Sequence, residues 1–240
     1  STQAKTLFPY TTLFRSAKQR RHPDAGLVID DLPPTLFAHQ SEVVRWAGQR
    51  GRAAAFLDTG LGKTRIQIAW ADAMRGEGAA LVICPLSIAR QTAREAAALG
   101  IDAQVVRSGD KVTGPGIWIT NYEMQPAFDP SMFSGVVLDE SSCIKHHDAK
   151  TLRTLLEAFR YTPFKLCATA TPAPNDWTEL GTHAEFLGVV SRQEMLAEFF
   201  THDGGDTSVW RLKGHARHVF WQWVCNWGAL VRRPSDLGFD

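Results

Sequence analysis

The stretch F-L-D-T-G-L-G-K-T-R-I, residues 56–66, places a lysine and a threonine directly after a glycine-rich turn. Lysine brings a compact positive charge, the threonine hydroxyl is a metal ligand, and glycines let backbone N–H groups approach an anion closely. In this spacing the chemistry is phosphate binding. Lys63 would reach the terminal phosphate oxygens of a nucleotide, Thr64 would hold Mg²⁺, and Gly60 and Gly62 would let the loop wrap the phosphates. The usual pattern, G-x-x-x-x-G-K-[ST], opens on a glycine, and here that position is Leu57. A second cluster, V-V-L-D-E-S-S at 136–142, ends an apolar run in two carboxylates. Asp139 would hold the metal through its water shell, and Glu140 would orient and polarise an attacking water. Each cluster has a plain alternative: a glycine turn capping an ordinary helix, and a solvated strand end. Their order along the chain favours the nucleotide reading.

Positioning such groups requires strand–loop–helix units. Apolar runs at 53–57, 80–84, 103–107, 116–120, 135–139 and 165–169 read as strands, and the segments 63–75, 87–99 and 149–159 read as helices between them. Strands rich in Val, Ile and Leu that alternate with helices predict a doubly wound α/β domain, its parallel sheet covered on both faces. After Pro174 the pattern predicts helices alone, at 176–188, 191–200 and 215–231, with H-D-G-G-D (202–206) as a turn. Trp221, Trp223 and Trp227, with Phe220 and Val224, give the last segment an apolar face that reads as core rather than as a base-stacking platform.

Composition adds bounds. The 240 residues, 44% hydrophobic and 21% charged, are those of a soluble globular chain, and a formal charge of +1 excludes a globally basic nucleic-acid coat protein while leaving room for a local basic groove. Runs such as A-A-A-F-L and A-L-V-I-C are far short of the roughly 20 residues of a membrane helix, so no membrane association is expected. Cys84, Cys143, Cys167 and Cys225 show neither C-x-x-C spacing nor histidines at zinc-finger distances, which favours a reduced cytoplasmic interior with Cys84 and Cys167 as small hydrophobes in strands. The run T-L-F-P-Y-T-T-L-F-R-S (6–16) resembles translated sequencing-adapter text, and residues 1–16 are set aside from the fold; a native flexible arm is the alternative.

The phosphate loop and the acidic pair do not stand alone. With L-F-A-H-Q (36–40), L-V-I-C-P-L-S-I-A-R-Q (81–91), I-T-N-Y-E (119–123) and A-T-A-T-P-A-P-N-D (168–176), they resemble the first motor lobe of superfamily-two helicases. The set is most similar to Swi/Snf-type DNA translocases and phage-encoded DEAD/DEAH-box relatives, whose loop reads D-x-G-x-G-K-T, so that Leu57 becomes a family variation. The resemblance implies a RecA-like lobe over 17–190 that binds and hydrolyses ATP with Mg²⁺ on nucleic acid, duplex DNA in the Swi/Snf case. It implies that Gln40 reads the adenine edge and that Asp58, Thr59, Gly60, Leu61, Gly62, Lys63, Thr64 and Arg65 line the nucleotide. Lys63, Asp139 and Glu140 would be the catalytic groups, with Thr64 and Asp139 on the metal. Thr169 and Thr171 match the motif that links the nucleotide site to the nucleic-acid track, and Pro85, Ser87, Thr120 and Asn121 fall in loops that touch the strand backbone in such motors.

The chain departs from that family in two respects. The acidic box is D-E-S-S, so Ser142 stands where a coupling residue often stands. The family also needs a second lobe carrying arginine fingers. Residues 191–240 are therefore expected to form a helical extension leading to a lobe this chain does not include, and the isolated chain to hydrolyse ATP weakly. An RNA helicase, a restriction-system motor and a nucleotide-gated nucleic-acid-binding module without turnover are the alternatives. A small-molecule kinase sharing only the loop would not need the D-E pair and A-T-A-T-P in this order. His146, His147 and H-D-G-G-D read as surface and turn residues rather than metal ligands. The basic run R-L-K-G-H-A-R-H (211–218), with Arg211, Lys213 and Arg217, reads equally as phosphate contacts or as a solvated helix start.

Overall fold

A computed structural model describes residues 25–146, 149–203 and 206–239. The segment 1–16, His147, Gly204 and Gly205 lie outside them. Helix α1 (Ala38–Arg50) precedes the alternating units β1 (Arg52–Leu57), α2 (Lys63–Arg75), β2 (Ala79–Cys84), α3 (Ala89–Ala98), β3 (Ala103–Val105), β4 (Gly116–Asn121), β5 (Phe133–Asp139), α4 (Ala149–Ala158) and β6 (Phe164–Thr169). Then follow α5 (Leu180–Leu187), α6 (Arg192–Phe199), an antiparallel pair β7 (Phe200–Asp203) and β8 (Asp206–Leu212), α7 (Arg217–Cys225) and β9 (Gly228–Val231).

Seven strands form one parallel sheet in the order β3-β4-β2-β5-β6-β1-β9. Because successive side chains point to opposite faces, each strand feeds two cores. Ala53, Ala55, Leu57, Val82, Ile119 and Val137 pack with Ile66, Trp70 and Met74 of α2 and Val43 and Val44 of α1. Phe56, Leu81, Ile83, Val136 and Leu138 pack on the other face with Phe159, Phe186, Phe220 and Trp227. Both faces are buried, which is why the strands read as continuous apolar runs. The doubly wound parallel α/β fold expected from the sequence is the fold observed, and all six expected strands form within it. Cys84 and Cys167 are buried free thiols in β2 and β6, and burial raises the Cys84 pKa to about 12. Among the described residues no helix is long and apolar enough to cross a membrane.

The expectation of helices alone after Pro174 is corrected. The segment 191–240 contributes α6 and α7 but also the β7–β8 pair and β9, a strand of the main sheet. The aromatic spacing at Phe220, Trp223 and Trp227 continues one helical face past the point where the helix stops at Cys225. From Trp227 onward the backbone turns to pair with β1, whose outer edge would otherwise carry open N–H groups. Ala54 donates to the Trp227 carbonyl at 2.7 Å and Asp58 to the Val231 carbonyl at 3.0 Å. Local periodicity carries no information about this partner, which lies far away in sequence. Of the tryptophans read as core, Trp223 and Trp227 are buried, while Trp221 is half-buried.

Trp227 anchors the turn into β9: it is fully buried and meets Phe56 edge-on at 5.9 Å and Trp223 at 5.3 Å. Trp227→Ala is expected to cost about 3–5 kcal/mol in urea unfolding followed by circular dichroism. A loss below about 1 kcal/mol, an ordinary value for any substitution, would show that the core does not hold this strand.

Candidate nucleotide site

The loop between β1 and α2 is built on its own lysine. Leu57, at the position where the usual pattern has glycine, is still the last residue of β1 and sends its side chain into the core, so a side chain fits there. The sharp turns come later, at Gly60 (φ +86°) and Gly62 (φ +75°), where only glycine adopts the backbone without strain. A methyl group added at Gly62 would also run into the Gln40 amide. The Lys63 ammonium donates to the carbonyls of Leu57 at 3.0 Å and Asp58 at 3.2 Å, which curls the loop around it. Asp58 accepts from the Thr59 N–H at 2.7 Å. Helix α2 starts at Lys63, so its first N–H groups, with Thr64 half-buried among them, open towards the loop as an anion cradle.

Gln40 lies beside this cradle and ties it to α1. Its Oε1 accepts from the Phe37 N–H at 3.0 Å, and its Nε2 donates to the Leu61 carbonyl at 3.3 Å. Arg65 points elsewhere, with its Nε 3.0 Å from Glu95 of α3.

Asp139 ends β5 and is almost fully buried. It accepts from Gln67 Nε2 at 2.7 Å and from the Glu140 N–H at 3.0 Å, and its backbone carbonyl accepts from the Tyr122 hydroxyl at 2.8 Å. Burial raises its pKa above the ordinary carboxylate value; the Gln67 hydrogen bond opposes this, the Glu140 charge adds to it, and the Glu140 N–H and the Lys63 charge pull it down. A buried carboxylate facing a lysine, beside a Gln67 Oε1 with no hydrogen-bond partner among the described residues, suits a hydrated divalent cation. Among the described residues Glu140 is the one non-glycine with positive φ, at +49°. Such a backbone costs of order 1–3 kcal/mol and is held by its surroundings.

That turn aims Glu140 at β6. Its Oε2 lies 3.3 Å from the Thr169 hydroxyl, which is also 3.3 Å from the Ser142 hydroxyl and accepts from the Thr171 N–H at 3.1 Å. One proton and two lone pairs satisfy all three contacts: Thr169 donates to Glu140 and accepts from Ser142 and Thr171. Ser142, the departure from the usual acidic box, therefore touches the Thr169–Thr171 motif directly.

Pro85 is half-buried and Ser87 exposed in the loop after β2, beside Leu86, which is 62% exposed. The expected placing of Thr120 and Asn121 in a loop is corrected. They are the last two residues of β4, 1% and 6% exposed, because β4 lies inside the sheet between β3 and β2. Sequence reasoning missed Gln67 and Tyr122, which hold Asp139. The available signal was a lone polar residue one turn after Lys63 on the apolar face of α2, and a tyrosine directly after a buried strand end.

No family model matches the chain, and no curated protein sequence matches it. Solved structures do. The SWI2/SNF2 ATPase core of Sulfolobus solfataricus, in complex with dsDNA, superposes with a TM-score of 0.68 at 21% identity over 86% of this chain and 46% of that one. The UvsW helicase of bacteriophage T4 gives 0.52 at 17% identity over 65% and 58%, and the Hef helicase domain of Pyrococcus furiosus 0.50 at 15% over 62% and 36%. The seven-stranded sheet and its flanking helices are thus a RecA-like α/β fold, and the chain spans less than half the length of the SWI2/SNF2 core it matches.

The electrostatics of Asp139 have a sign that can be measured. Because its pKa is raised in the folded chain, folding takes up protons there, and stability falls as pH rises from the unfolded carboxylate range through the folded value. Without nucleotide or Mg²⁺, Asp139→Asn should therefore be more stable than the parent at pH 7–8, with the gap closing towards about pH 4. Urea unfolding at several pH values checks this, and a variant less stable than the parent at pH 8 contradicts the buried-charge account.

Proposed function

We propose that this chain is the ATP-binding and hydrolysing lobe of a nucleic-acid-dependent motor of the Swi/Snf-like, superfamily-two type, acting on duplex DNA. The observation that carries the reading is the convergence, on three adjacent strand ends, of Lys63 in its glycine loop, the buried Asp139 with Glu140, and Thr169 in contact with the Glu140 carboxylate. A kinase sharing only the loop has no use for that last contact.

In this reading Lys63 and the N–H groups at the start of α2 hold the phosphates, and Thr64 and Asp139 hold Mg²⁺, Asp139 through its water shell. The metal, when bound, neutralises charge developing on the phosphoryl oxygens. Glu140 orients the attacking water and accepts its proton. Gln40 keeps a second lone pair and a second N–H beyond its two bonds to Phe37 and Leu61, the pair an adenine edge requires. Thr169 joins the position of Glu140 to the loop at 170–176, and with Thr171 and Ser142 it forms the start of the route to nucleic acid. On that track Pro85 and Ser87 remain candidate backbone contacts, while Thr120 and Asn121 lie buried at the end of β4. The duplex DNA in the SWI2/SNF2 complex and the 46% coverage of that chain support a DNA track and a second lobe supplying arginines across the cleft.

Two substitutions test the reading. Lys63→Ala should weaken Mg-ATP binding about 10- to 150-fold in calorimetry, the equivalent of about 1.5–3 kcal/mol for a lost charge-assisted contact. Glu140→Gln should bind Mg-ATP as the parent does, while single-turnover hydrolysis falls about 10²- to 10⁴-fold. Parent-like hydrolysis by Glu140→Gln would place the general base elsewhere, and parent-like affinity in Lys63→Ala would remove the phosphate assignment.

A further inference from the structure

Eight residues after Thr169 the chain places Trp177 in a short turn, Trp177–Glu179, at the head of α5. His183 of α5 meets Phe56, near the carboxyl end of β1, with ring centroids 5.3 Å apart. The His183 ring also lies 3.3 Å from the Pro172 carbonyl, after the end of β6, so the head of α5 and Trp177 lie towards the carboxyl-end rim of the sheet, the rim that also carries the glycine loop. It borders a cavity of about 320 Å³ between this turn, the β7–β8 pair and the start of α7, lined by Asp176, Trp177, Phe200, Trp210, Arg211 and Arg217 among others. That volume sits at the small end of ligand pockets, about 300–1,000 Å³.

Trp177 is unusually exposed for an indole, at 36%, yet it is held in place. Trp221 meets it at 76° with centroids 5.4 Å apart, and the Arg217 guanidinium lies 5.8 Å from its ring centre. Trp210 is fixed in turn by His202, with ring centroids 3.9 Å apart. A rigid, part-exposed indole beside two guanidinium groups suits a ligand that has both a flat π face and a negative charge. The bases and phosphates of a nucleic-acid strand have both, and a base can reach an indole face only when it is unpaired or unstacked. We propose that this cavity is a stacking site for an unpaired base of a nucleic-acid strand, with Trp177 as the platform and Arg211 and Arg217 for the adjoining phosphate. The site deepens the motor reading, on which it rests for its ligand class. It adds a single-stranded element to a track otherwise assigned to duplex DNA.

The test is fluorescence anisotropy with labelled oligo-dT, oligo-U and a DNA duplex, each about 20 nucleotides long, enough to span any single stacking site. The parent, Trp177→Ala and Trp177→Phe are compared, and Mg-ATP calorimetry is run on all three. Trp177→Ala should weaken single-strand binding about 5- to 150-fold, the range for one lost base–aromatic stack, while Trp177→Phe retains most of it. Duplex affinity and Mg-ATP affinity should stay within about twofold in both variants, which also shows that they fold. Equal loss on oligo-dT and oligo-U identifies stacking alone, and a larger loss on one identifies an added contact to the sugar or to the thymine methyl. Parent-like single-strand binding by Trp177→Ala overturns the stacking site. If the parent binds Mg-ATP but no single strand, the stacking site falls and the motor reading stands. If Trp177-dependent single-strand binding persists without Mg-ATP binding, the motor reading falls and the stacking site stands.

Discussion

Everything at this site depends on the sheet being parallel and closed on both faces by apolar side chains. In a parallel sheet all carboxyl ends share one rim, so each loop that follows a strand opens on the same side. The order β5-β6-β1 then sets Asp139, Thr169 and Asp58 at consecutive strand ends. Those strands hold their relative height because both faces are filled: a shift by one residue would turn Phe56, Val82 or Leu138 to the wrong core. The geometry of the polar groups is a consequence of apolar packing beneath them.

The rim itself is destabilising. Asp139 is kept from water with its carboxyl pKa raised, Glu140 takes a left-handed backbone, and the Lys63 ammonium donates to two carbonyls of its own loop. A stable fold alone requires none of these. On the proposed reading, each places a charge or dipole before a ligand arrives, as electrostatic preorganisation requires. The compensation comes from neutral partners: the Gln67 amide on the carboxylate, the Tyr122 hydroxyl on the adjoining carbonyl, and the Thr169 hydroxyl between Glu140 and Ser142.

The C-terminal segment enters the same network. Val231 accepts from the Asp58 N–H, and the Asp58 carbonyl accepts from Lys63, so β9 is two hydrogen bonds from the Lys63 ammonium. A cavity of about 440 Å³ lined by Asp58, Ala170, Pro172, Val231 and Arg232 joins that edge to the loop after Thr169.

The sequence by itself determined the local units. The Val-, Ile- and Leu-rich runs specify strands, the Gly60–Lys63 turn specifies where α2 begins, and Asp139 with Glu140 marks the end of a buried strand, because each signal is carried by residues next to one another. Tertiary structure decided whatever depends on distant partners. It made 228–231 a strand because the edge of β1 needed donors and acceptors, and it buried Thr120 and Asn121 because β4 is an inner strand. It recruited Gln67 and Tyr122 to Asp139, and Trp177 to Arg217, across separations that no periodicity spans. Hydrogen bonding and packing between sequence-distant residues are fixed only when the sheet order is fixed, and that order is a property of the whole chain.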